Sequence, residues 1–414
     1  MSSLTSRERV QIALNHEEPD RVPVDFGASR VTGIGAVAYR RLLRHLDRDE
    51  EVRVYDIKQQ LADPSLDMIT QLGGDVVQVH RLGPTTGMPF LAIDRWKPGF
   101  LTDGSPCQVP WAYEERRRDD AIEVVRHGET YAWRSAESYY FDVCWSPLAR
   151  AKTTEDIDAF QWPDLWSVRE EGYLRRRVTE LYHHTDKALF AGLPTLVGSF
   201  LEISLLLFGF ENFMTKLVLE RELVEYWLDF KLAHDLAILE RFLAVAGPYI
   251  QVIQMSDDFG AQNNLQISPS IYRAVFKPRQ KKWIEFVKAR TSAKIFLHCD
   301  GSVGEILPDF IEIGIDILNP LQTSAAGMDP MRIKKQYGRH LCFWGGGVDT
   351  QSTLPFGSLD DIRREIRERV RLLGRGGGYI FSPIHNIQPD IPPEKILAVY
   401  QEVANCGSYP FGDP

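Results

Sequence analysis

The chain has 414 residues with an ordinary globular composition, 44% hydrophobic and 25% charged, and its formal net charge is −9. This acidic balance excludes general nucleic-acid binders and proteins that bind anionic membranes through charge. No apolar run is long enough to span a membrane, the N-terminus lacks the apolar core of a secretory signal, and the five scattered cysteines form no disulfide framework, which together favour a cytoplasmic protein.

Alternating strand and helix patterns run along most of the chain. A capped helix pattern at the N-terminus leads to a candidate first strand at Val22–Gly27, and the next strand is predicted at Asp75–His80. Later strands are predicted at residues 188–192, 249–255, 294–298, 316–319, 341–344 and 379–382. Roughly eight strands, most followed by a helix, indicate a (β/α)8 TIM barrel of the α/β class, formed by residues 1–414 as a single domain.

Residues from about 96 to 150 interrupt the strand–helix alternation. The turn pairs Asp103-Gly104 and His127-Gly128 separate aromatic and β-branched runs, which is typical of an antiparallel meander. The sequence therefore predicts a β-rich insertion that covers one rim of the barrel. We interpret the charged run Arg116–Asp120 within it as the solvated tip of a hairpin.

Polar residues at the ends of predicted strands are candidates for the functional site, because the carboxyl ends of barrel strands face the substrate. The candidate substrate-binding residues are Gln262, Asn319, Gln322, Gly346, Gly347, Asp349 and Asn386. The N–H groups of the run Gly345–Gly347 could hold a carboxylate or phosphate. A close approach of two backbone segments without a ligand explains this glycine run equally well.

The strand Ala293–Asp300 ends in residue types that bind metals or move protons. His298 and Asp300 are two residues apart, so their side chains leave the strand on the same side, and His385 ends the last strand and could reach the same pocket. Two histidines and a carboxylate are an acceptable zinc ligand set that leaves an open position for substrate. The alternative is that these histidines only make hydrogen bonds.

Three residues at other strand ends, Asp257, Asp258 and His80, are candidate general acids or bases. Consecutive strand residues point to opposite faces, so one aspartate should face the barrel interior while the other accepts hydrogen bonds from backbone N–H groups of the loop Phe259–Asn264. Burial beside Asp300 should raise the pKa of the inward carboxyl. The alternative is a pair of loop-capping aspartates without a part in chemistry.

Five segments across the chain resemble the uroporphyrinogen decarboxylase-like superfamily. These segments are Thr5–Pro23, Phe296–Gly301, Gly314–Gln322, Phe343–Asp349 and Gly377–Glu394. The resemblance implies a (β/α)8 barrel, in agreement with the strand count. The superfamily includes cofactor-free porphyrinogen decarboxylases and zinc-dependent, corrinoid-linked methyltransferases.

The resemblance is weaker to the decarboxylases at the place where they bind their substrate. They carry an Arg-Gln-Ala-Gly-Arg segment after the first strand, and its arginines bind substrate carboxylates. The segment Val24–Arg30 occupies that place here, and only Arg30 could serve. A porphyrin with several carboxylates needs several cationic partners, so we expect no turnover of uroporphyrinogen.

The resemblance to the methyltransferases implies a metal site. Their zinc is bound by a His-x-Cys pair at one strand end and a cysteine after the last strand. His298 matches the first ligand, Asp300 stands in place of the second, and His385 falls where the last cysteine would be. Both thiolates are replaced by ligands that zinc or another divalent metal accepts.

The resulting hypothesis is a metal-dependent methyltransferase or demethylase that acts on a small methylated substrate. A corrinoid held by a partner protein would be the methyl carrier. Two alternatives stay open: a lyase or decarboxylase of the same superfamily that uses no metal, and a non-catalytic barrel that binds a small molecule. The sequence does not identify the substrate or the oligomeric state.

Overall fold

The computed structural model describes residues 4–83, 87–196 and 199–411. The strands in these ranges are β1 (Val54–Asp56), β2 (Leu61–Ala62), β3 (Val76–Val79), β4 (Trp96–Phe100), β5 (Pro106–Pro110), β6 (Glu115–Arg118), β7 (Ala121–Arg126), β8 (Glu129–Ser135), β9 (Asp142–Val143), β10 (Ala188–Ala191), β11 (Val252–Ser256), β12 (Lys294–His298), β13 (Ile317–Asn319), β14 (Cys342–Trp344) and β15 (Tyr379–Ile380). The helices are α1 (Ser6–Leu14), α2 (Ala36–His45), α3 (Leu66–Gln71), α4 (Thr154–Asp158), α5 (Val168–His184), α6 (Leu201–Phe208), α7 (Phe210–Leu219), α8 (Arg221–Ala246), α9 (Pro269–Ile271), α10 (Lys277–Lys288), α11 (Leu307–Ile313), α12 (Pro330–Tyr337), α13 (Thr353–Phe356), α14 (Leu359–Gly374) and α15 (Pro393–Cys406), with a π-helical turn, Tyr272–Phe276, between α9 and α10.

Seven parallel strands form one curved sheet in the order β3-β10-β11-β12-β13-β14-β15. The extended segment at residues 22–25 lies between the two edge strands. Its Asp25 N–H donates to Phe381 O over 2.8 Å, and its Val24 O accepts from Asp75 N–H over 2.7 Å. These bonds close the sheet, so the predicted (β/α)8 barrel is confirmed. The predicted first strand is reduced to one bridge, Val24 to Phe381, because Pro23 has no N–H for the ladder.

An aromatic cluster fills the half of the barrel interior that lies toward the amino ends of the strands. The rings of Phe190, Phe296 and Trp344 meet edge to face with centroids 4.9–5.5 Å apart, and all three side chains are fully buried. Val10 and Leu14 of α1 belong to the same buried cluster, so this helix caps the barrel at its amino end. With that end filled by side chains, the carboxyl ends of the strands are left to form a site.

The outer helices pack through apolar stripes. In α14 the buried residues Ile362, Ile366 and Val370 recur every four residues, so they form one face toward the barrel. Ser358 begins this helix with a capping box in which Asp361 is the partner. No helix in the described ranges is long and apolar enough to cross a membrane.

The β-rich insertion is confirmed, because β4 to β9 form a two-stranded and a four-stranded antiparallel sheet. Asp119 and Asp120 make the turn between β6 and β7 and are exposed, as the hairpin interpretation requires. Among the hydrogen bonds that tie the insertion to the barrel are two of 2.8 Å, from Tyr140 Oη to Asn386 Oδ1 and from Phe141 N–H to Lys58 O. It therefore forms a fixed wall above one side of the barrel.

The buried carboxyl of Asp25 makes stability depend on pH. Burial raises its pKa to about 6, against the hydrogen bonds from Ala28 N–H and Trp344 Nε1–H. The folded chain holds a proton that the unfolded chain has lost, so stability falls as pH rises from about 4 to about 6, by about 3 kcal/mol. We expect Asp25→Asn to remove this loss, as measured by urea unfolding across that pH range. The exposed Asp119→Asn should leave the pH profile unchanged; parallel profiles for wild type and Asp25→Asn would contradict the expectation.

Candidate metal and active site

His298, Asp300 and His385 come together at the carboxyl end of the barrel. One ligand atom from each lies within 4.8 Å of the other two. The Nε2 atom of His298 is 3.5 Å from Oδ2 of Asp300, and the two imidazole rings have centroids 5.8 Å apart. The structure therefore places these three residues as the sequence predicted, around one point.

A hydrogen bond fixes the orientation of His298. Its Nδ1 lies 2.8 Å from Oδ1 of Asn319, whose Nδ2 donates to Trp344 O over 2.8 Å. Because the amide nitrogen is used by the carbonyl, its oxygen must accept from Nδ1–H. The unprotonated Nε2 can then serve as a ligand, and a second residue that orients a histidine in this way is common in metal sites. Asn319 thus lies outside the group of His298, Asp300 and His385, and it orients His298 through this hydrogen bond.

The electrostatics of the cluster favour a positive charge at its centre. Burial lowers the pKa of His298, but Asp300 outweighs burial and raises this pKa above its ordinary value. Burial alone would raise the pKa of Asp300, but the charge of His298 outweighs burial and lowers this pKa below its ordinary value. Burial lowers the pKa of His385 and so favours its neutral form. A proton on His298 therefore occupies the place where a metal cation would be stabilised.

The two consecutive aspartates after β11 have different surroundings. Asp258 lines the central cavity, and its Oδ1 accepts from Asp300 N–H over 2.8 Å. Burial, followed by the charges of Glu202 and Asp300, raises the pKa of Asp258 to about 7. This direction agrees with the predicted effect of burial beside Asp300.

The predicted partner of the other aspartate is wrong. Asp257 does not bind the loop Phe259–Asn264; it accepts from the N–H groups of Phe200, Leu201 and Glu202 over 2.9, 2.8 and 3.0 Å. These groups begin α6, where the first N–H groups of a helix have no partner within the helix. Burial raises the pKa of Asp257, and these three N–H donors oppose it.

The central cavity has a volume of about 670 Å³ and opens at the carboxyl end of the barrel. Two of its lining side chains are cationic, Arg30 and Lys58. Four are acidic, namely Asp142, Glu202, Asp258 and Asp300. Tyr140, Phe141 and Asp142 bring the insertion into this lining. With two Arg or Lys side chains in its described lining, this cavity offers few cationic partners to a substrate with several carboxylates.

Two of the predicted substrate-binding residues, Gln262 and Gln322, line the central cavity. Gln322 Oε1 accepts from Gly301 N–H over 2.7 Å, and Gln322 Nε2 donates to Gln262 Oε1 over 3.1 Å. This pair holds the turn that follows Asp300. Asn386 is not part of the described lining of this cavity, and its Nδ2 donates to Arg30 O over 3.2 Å.

The run Gly345–Gly347 makes a close backbone approach. The N–H groups of Gly345 and Gly347 donate to Ile380 O and Ser382 O over 3.0 Å each, so neither is available to an anion. A Cβ atom on Gly347 would lie 2.3 Å from the Phe381 ring, and one on Gly346 would lie 3.0 Å from Leu321 O. Of the two interpretations of this run, close packing is the one that fits.

Asp349 and His80 lie outside the described lining of the central cavity. Asp349 Oδ1 accepts from Gln351 N–H and Ser352 N–H over 2.7 and 2.9 Å, which makes it a loop cap. His80 Nε2 is 3.1 Å from Asp63 Oδ1, and His80 borders a separate, smaller cavity. Neither residue is brought to the His298 cluster.

The sequence analysis missed three residues that shape the site. Glu202 accepts from Ser256 Oγ over 2.9 Å and raises the pKa of both neighbouring aspartates. It lies in the first turn of α6, so the rule of strand ends does not reach it. Lys58 and Tyr140 also line the cavity, but they lie in irregular segments whose position no strand pattern indicates.

Comparisons with known proteins agree with this architecture. The chain is 28% identical over 183 residues to the uroporphyrinogen decarboxylase of Synechocystis sp., covering 44% of this chain and 48% of that protein. For the enzyme of Crocosphaera subtropica the identity is 27% over 172 residues, covering 41% and 44%. The chain thus spans about half the length of the curated relatives it matches.

A solved structure is similar over almost the whole chain. It is described as a methyltransferase from Methanosarcina mazei, with a TM-score of 0.59, 17% sequence identity, and coverage of 97% of this chain and 99% of that one. At this identity the likeness establishes the fold. The sequence model of the family described as uroporphyrinogen decarboxylase (URO-D) matches residues 150–406, more than half of the chain, and this protein therefore belongs to the URO-D family.

Proposed function

We propose that this protein is a metal-dependent methyltransferase that acts on a small methylated substrate. The observation that carries the proposal is the convergence of His298, Asp300 and His385 in a cavity at the carboxyl end of the barrel. The methyltransferase name of the similar solved structure supports the same reaction class. The metal would be zinc or another divalent ion, and a corrinoid held by a partner protein would be the methyl carrier.

The three side chains fit a divalent metal. Donors about 2.1 Å from a tetrahedral zinc lie about 3.4 Å apart, and His298 Nε2 and Asp300 Oδ2 are separated by 3.5 Å. Both histidines offer ring nitrogens, and one of them is oriented by Asn319. Three protein ligands leave an open coordination position for substrate, as catalytic zinc sites require.

The residues around the cluster would have separate roles in acid–base chemistry and in orienting Asp300. A divalent metal, when bound, supplies a Lewis acid for the substrate atom that carries the methyl group. Asp258 lines the same cavity and would act as a general acid or base; burial raises its pKa to about 7 without a metal, and a bound cation would lower it. Asp300 receives its orientation from the Asp258 carboxylate and from the turn at Gly301.

Metal analysis followed by a methyl-transfer assay tests the proposal. Protein purified without chelators is expected to contain about one zinc, iron, manganese or cobalt ion per chain by plasma mass spectrometry. Mixed with cob(I)alamin and a panel of methylated alcohols, amines and thioethers, it should form methylcobalamin, seen in the absorbance spectrum. A protein that neither contains nor binds these ions would contradict the proposal.

Decarboxylation of uroporphyrinogen is the second candidate function, because the curated relatives bear that name. The lining of the central cavity opposes it: Arg30 already pairs with Asp56 at 3.5 Å, and Lys58 is the one other Arg or Lys in the described lining. We expect no decarboxylation of uroporphyrinogen at an enzyme-like rate, measured by chromatography of the oxidised porphyrins. Enzyme-like turnover would contradict this expectation and favour the metal-free reaction.

A non-catalytic binding barrel is the third candidate. It predicts a tight small-molecule ligand but no methyl transfer with any member of the panel. The raised pKa of Asp258 beside three metal-capable side chains favours catalysis, because perturbed titrating groups cluster at active sites.

A further inference from the structure

A second, smaller cavity lies inside the barrel next to the central one. Its polar lining comes from Arg30, Tyr55, Asp56, Gln78, His80 and Gln254, together with Arg81, whose charge is balanced by Glu170 at 2.9 Å. The space open to the centre of a water-sized sphere is about 40 Å³. Because about 10–15 Å³ is enough for one water molecule, this space accommodates a group of about three heavy atoms.

The polar atoms that line this small cavity lack hydrogen-bond partners. Among the described residues, both amide atoms of Gln254, Tyr55 Oη and Gln78 Oε1 are buried without a hydrogen-bond partner, while Arg30 Nε and Asp56 Oδ2, which also lack a hydrogen bond, face each other at 3.5 Å. Gln254 is only 1% exposed and Tyr55 6%. A buried polar atom without a partner costs about 1–3 kcal/mol. Four atoms without any partner around one space therefore indicate a site that a polar group completes.

The small cavity is within reach of a molecule held in the central cavity. Gln254 and Ser256 are two residues apart on β11, so their side chains leave on the same face. Ser256 lines the central cavity and lies opposite His298 in the sheet register. At about 3.3 Å per residue, Gln254 is about 7 Å deeper in the barrel. Arg30 lines both cavities, so the two spaces are adjacent.

The lining selects a neutral group that both donates and accepts hydrogen bonds. Tyr55 Oη and Gln254 Nε2 can donate, while Gln78 Oε1 and Gln254 Oε1 accept. Arg30 and Asp56 lie 3.5 Å apart and balance each other in charge. An anion would face the acceptor oxygens without a free cation, and a cation would face Arg30. A carboxamide has three heavy atoms and satisfies both kinds of partner.

We propose that this small cavity, formed by Tyr55, Gln78 and Gln254, is a recognition subsite for a carboxamide-type group of the substrate that the central cavity binds. The inference rests on the proposed function in taking that ligand to be the substrate. The substrate is then a methylated molecule whose neutral amide end lies about 7 Å from its reacting end.

Acetamide is the probe for this subsite, with acetate as the charged analogue of the same shape. Acetamide should bind the metal-loaded and the chelator-treated protein alike, in nuclear magnetic resonance titrations, and a crystal soak should place it between Tyr55 and Gln254. Acetate should bind at least about tenfold more weakly, since burying its charge without a partner is costly. Density for ordered water alone, or acetamide density without binding in solution, would overturn the proposal.

Two variants separate recognition from folding. Gln254→Met should weaken acetamide binding at least tenfold while its melting temperature stays the same or rises, since an unpartnered amide is removed. Tyr55→Phe removes only one hydroxyl and should weaken binding severalfold, which keeps the test open if the first variant fails to fold. Gln161→Met, at an exposed glutamine, should bind as wild type does. Equal affinity in Gln254→Met, Tyr55→Phe and wild type would overturn the assignment.

The two proposals can fail separately. Acetamide binding needs no metal, so a protein without metal affinity that still binds acetamide would overturn the methyltransferase proposal and leave the subsite. A protein that binds the metal but does not bind acetamide would overturn only the proposal of the carboxamide subsite.

Discussion

Replacing His385 with alanine is expected to reduce the metal content of the purified protein from about one ion per chain to less than about a tenth. The change removes one of three protein ligands, and the loss of a residue that merely supports a ligand already costs about 10–100-fold in metal affinity. We expect a loss of more than about 100-fold in affinity. Plasma mass spectrometry and competition with a zinc dye measure it.

Two further variants make the result on His385 specific. His80→Ala removes another buried strand-end histidine, one that contacts Asp63 and lies outside the cluster, and it should retain the metal. The metal content of Asn319→Ala should lie between those of His385→Ala and His80→Ala, since this change removes only the hydrogen bond to His298 Nδ1. Full metal content in His385→Ala would show that the three side chains do not bind the ion together.

The pair Asp257→Asn and Asp258→Asn is expected to separate stability from activity. Asp258→Asn should lower the methyl-transfer rate by about 10²-fold, as for the loss of a general acid or base. Its melting temperature should change little, because the asparagine oxygen can still accept from Asp300 N–H. The assay uses the methylated substrate that the panel identifies, at saturating metal.

Asp257→Asn should have the opposite effect. Its new amide N–H groups would face a backbone N–H of Phe200 or Leu201 at the start of α6, so at least one buried hydrogen bond is lost. The expected cost is about 1–3 kcal/mol in the free energy of unfolding, with activity per folded molecule retained. If both variants only destabilise the protein, neither aspartate takes part in the chemistry.

The barrel and the convergence of three metal-capable side chains could be predicted because both follow from local patterns. Buried strands followed by helices specify a parallel barrel, and residues that end different strands of a parallel barrel converge. His298, Asp300 and His385 were found in this way. The reduced first strand was not anticipated, because the single proline in it removes a ladder bond that the hydrophobic pattern alone does not reveal.

The surroundings of the cluster could not be predicted, because they depend on contacts between distant segments. The partner of Asp257 is the start of α6, 55–57 residues earlier in the chain, and nothing in either segment indicates that they meet. The unpartnered amide of Gln254 is likewise a property of the packed barrel. A polar residue within a buried strand could have pointed to it.

The wall formed by the insertion has a consequence for how this protein relates to its family. The reactive side chains Asp258, Asp300 and His385 lie inside residues 150–406, the part that the family model matches, whereas Tyr140 and Lys58 lie outside it. The insertion therefore contributes one part of the cavity wall, whereas the three metal-capable side chains come from strand ends of the barrel. We expect that exchanging the β-rich segment between relatives would change this part of the wall and leave His298, Asp300 and His385 in place.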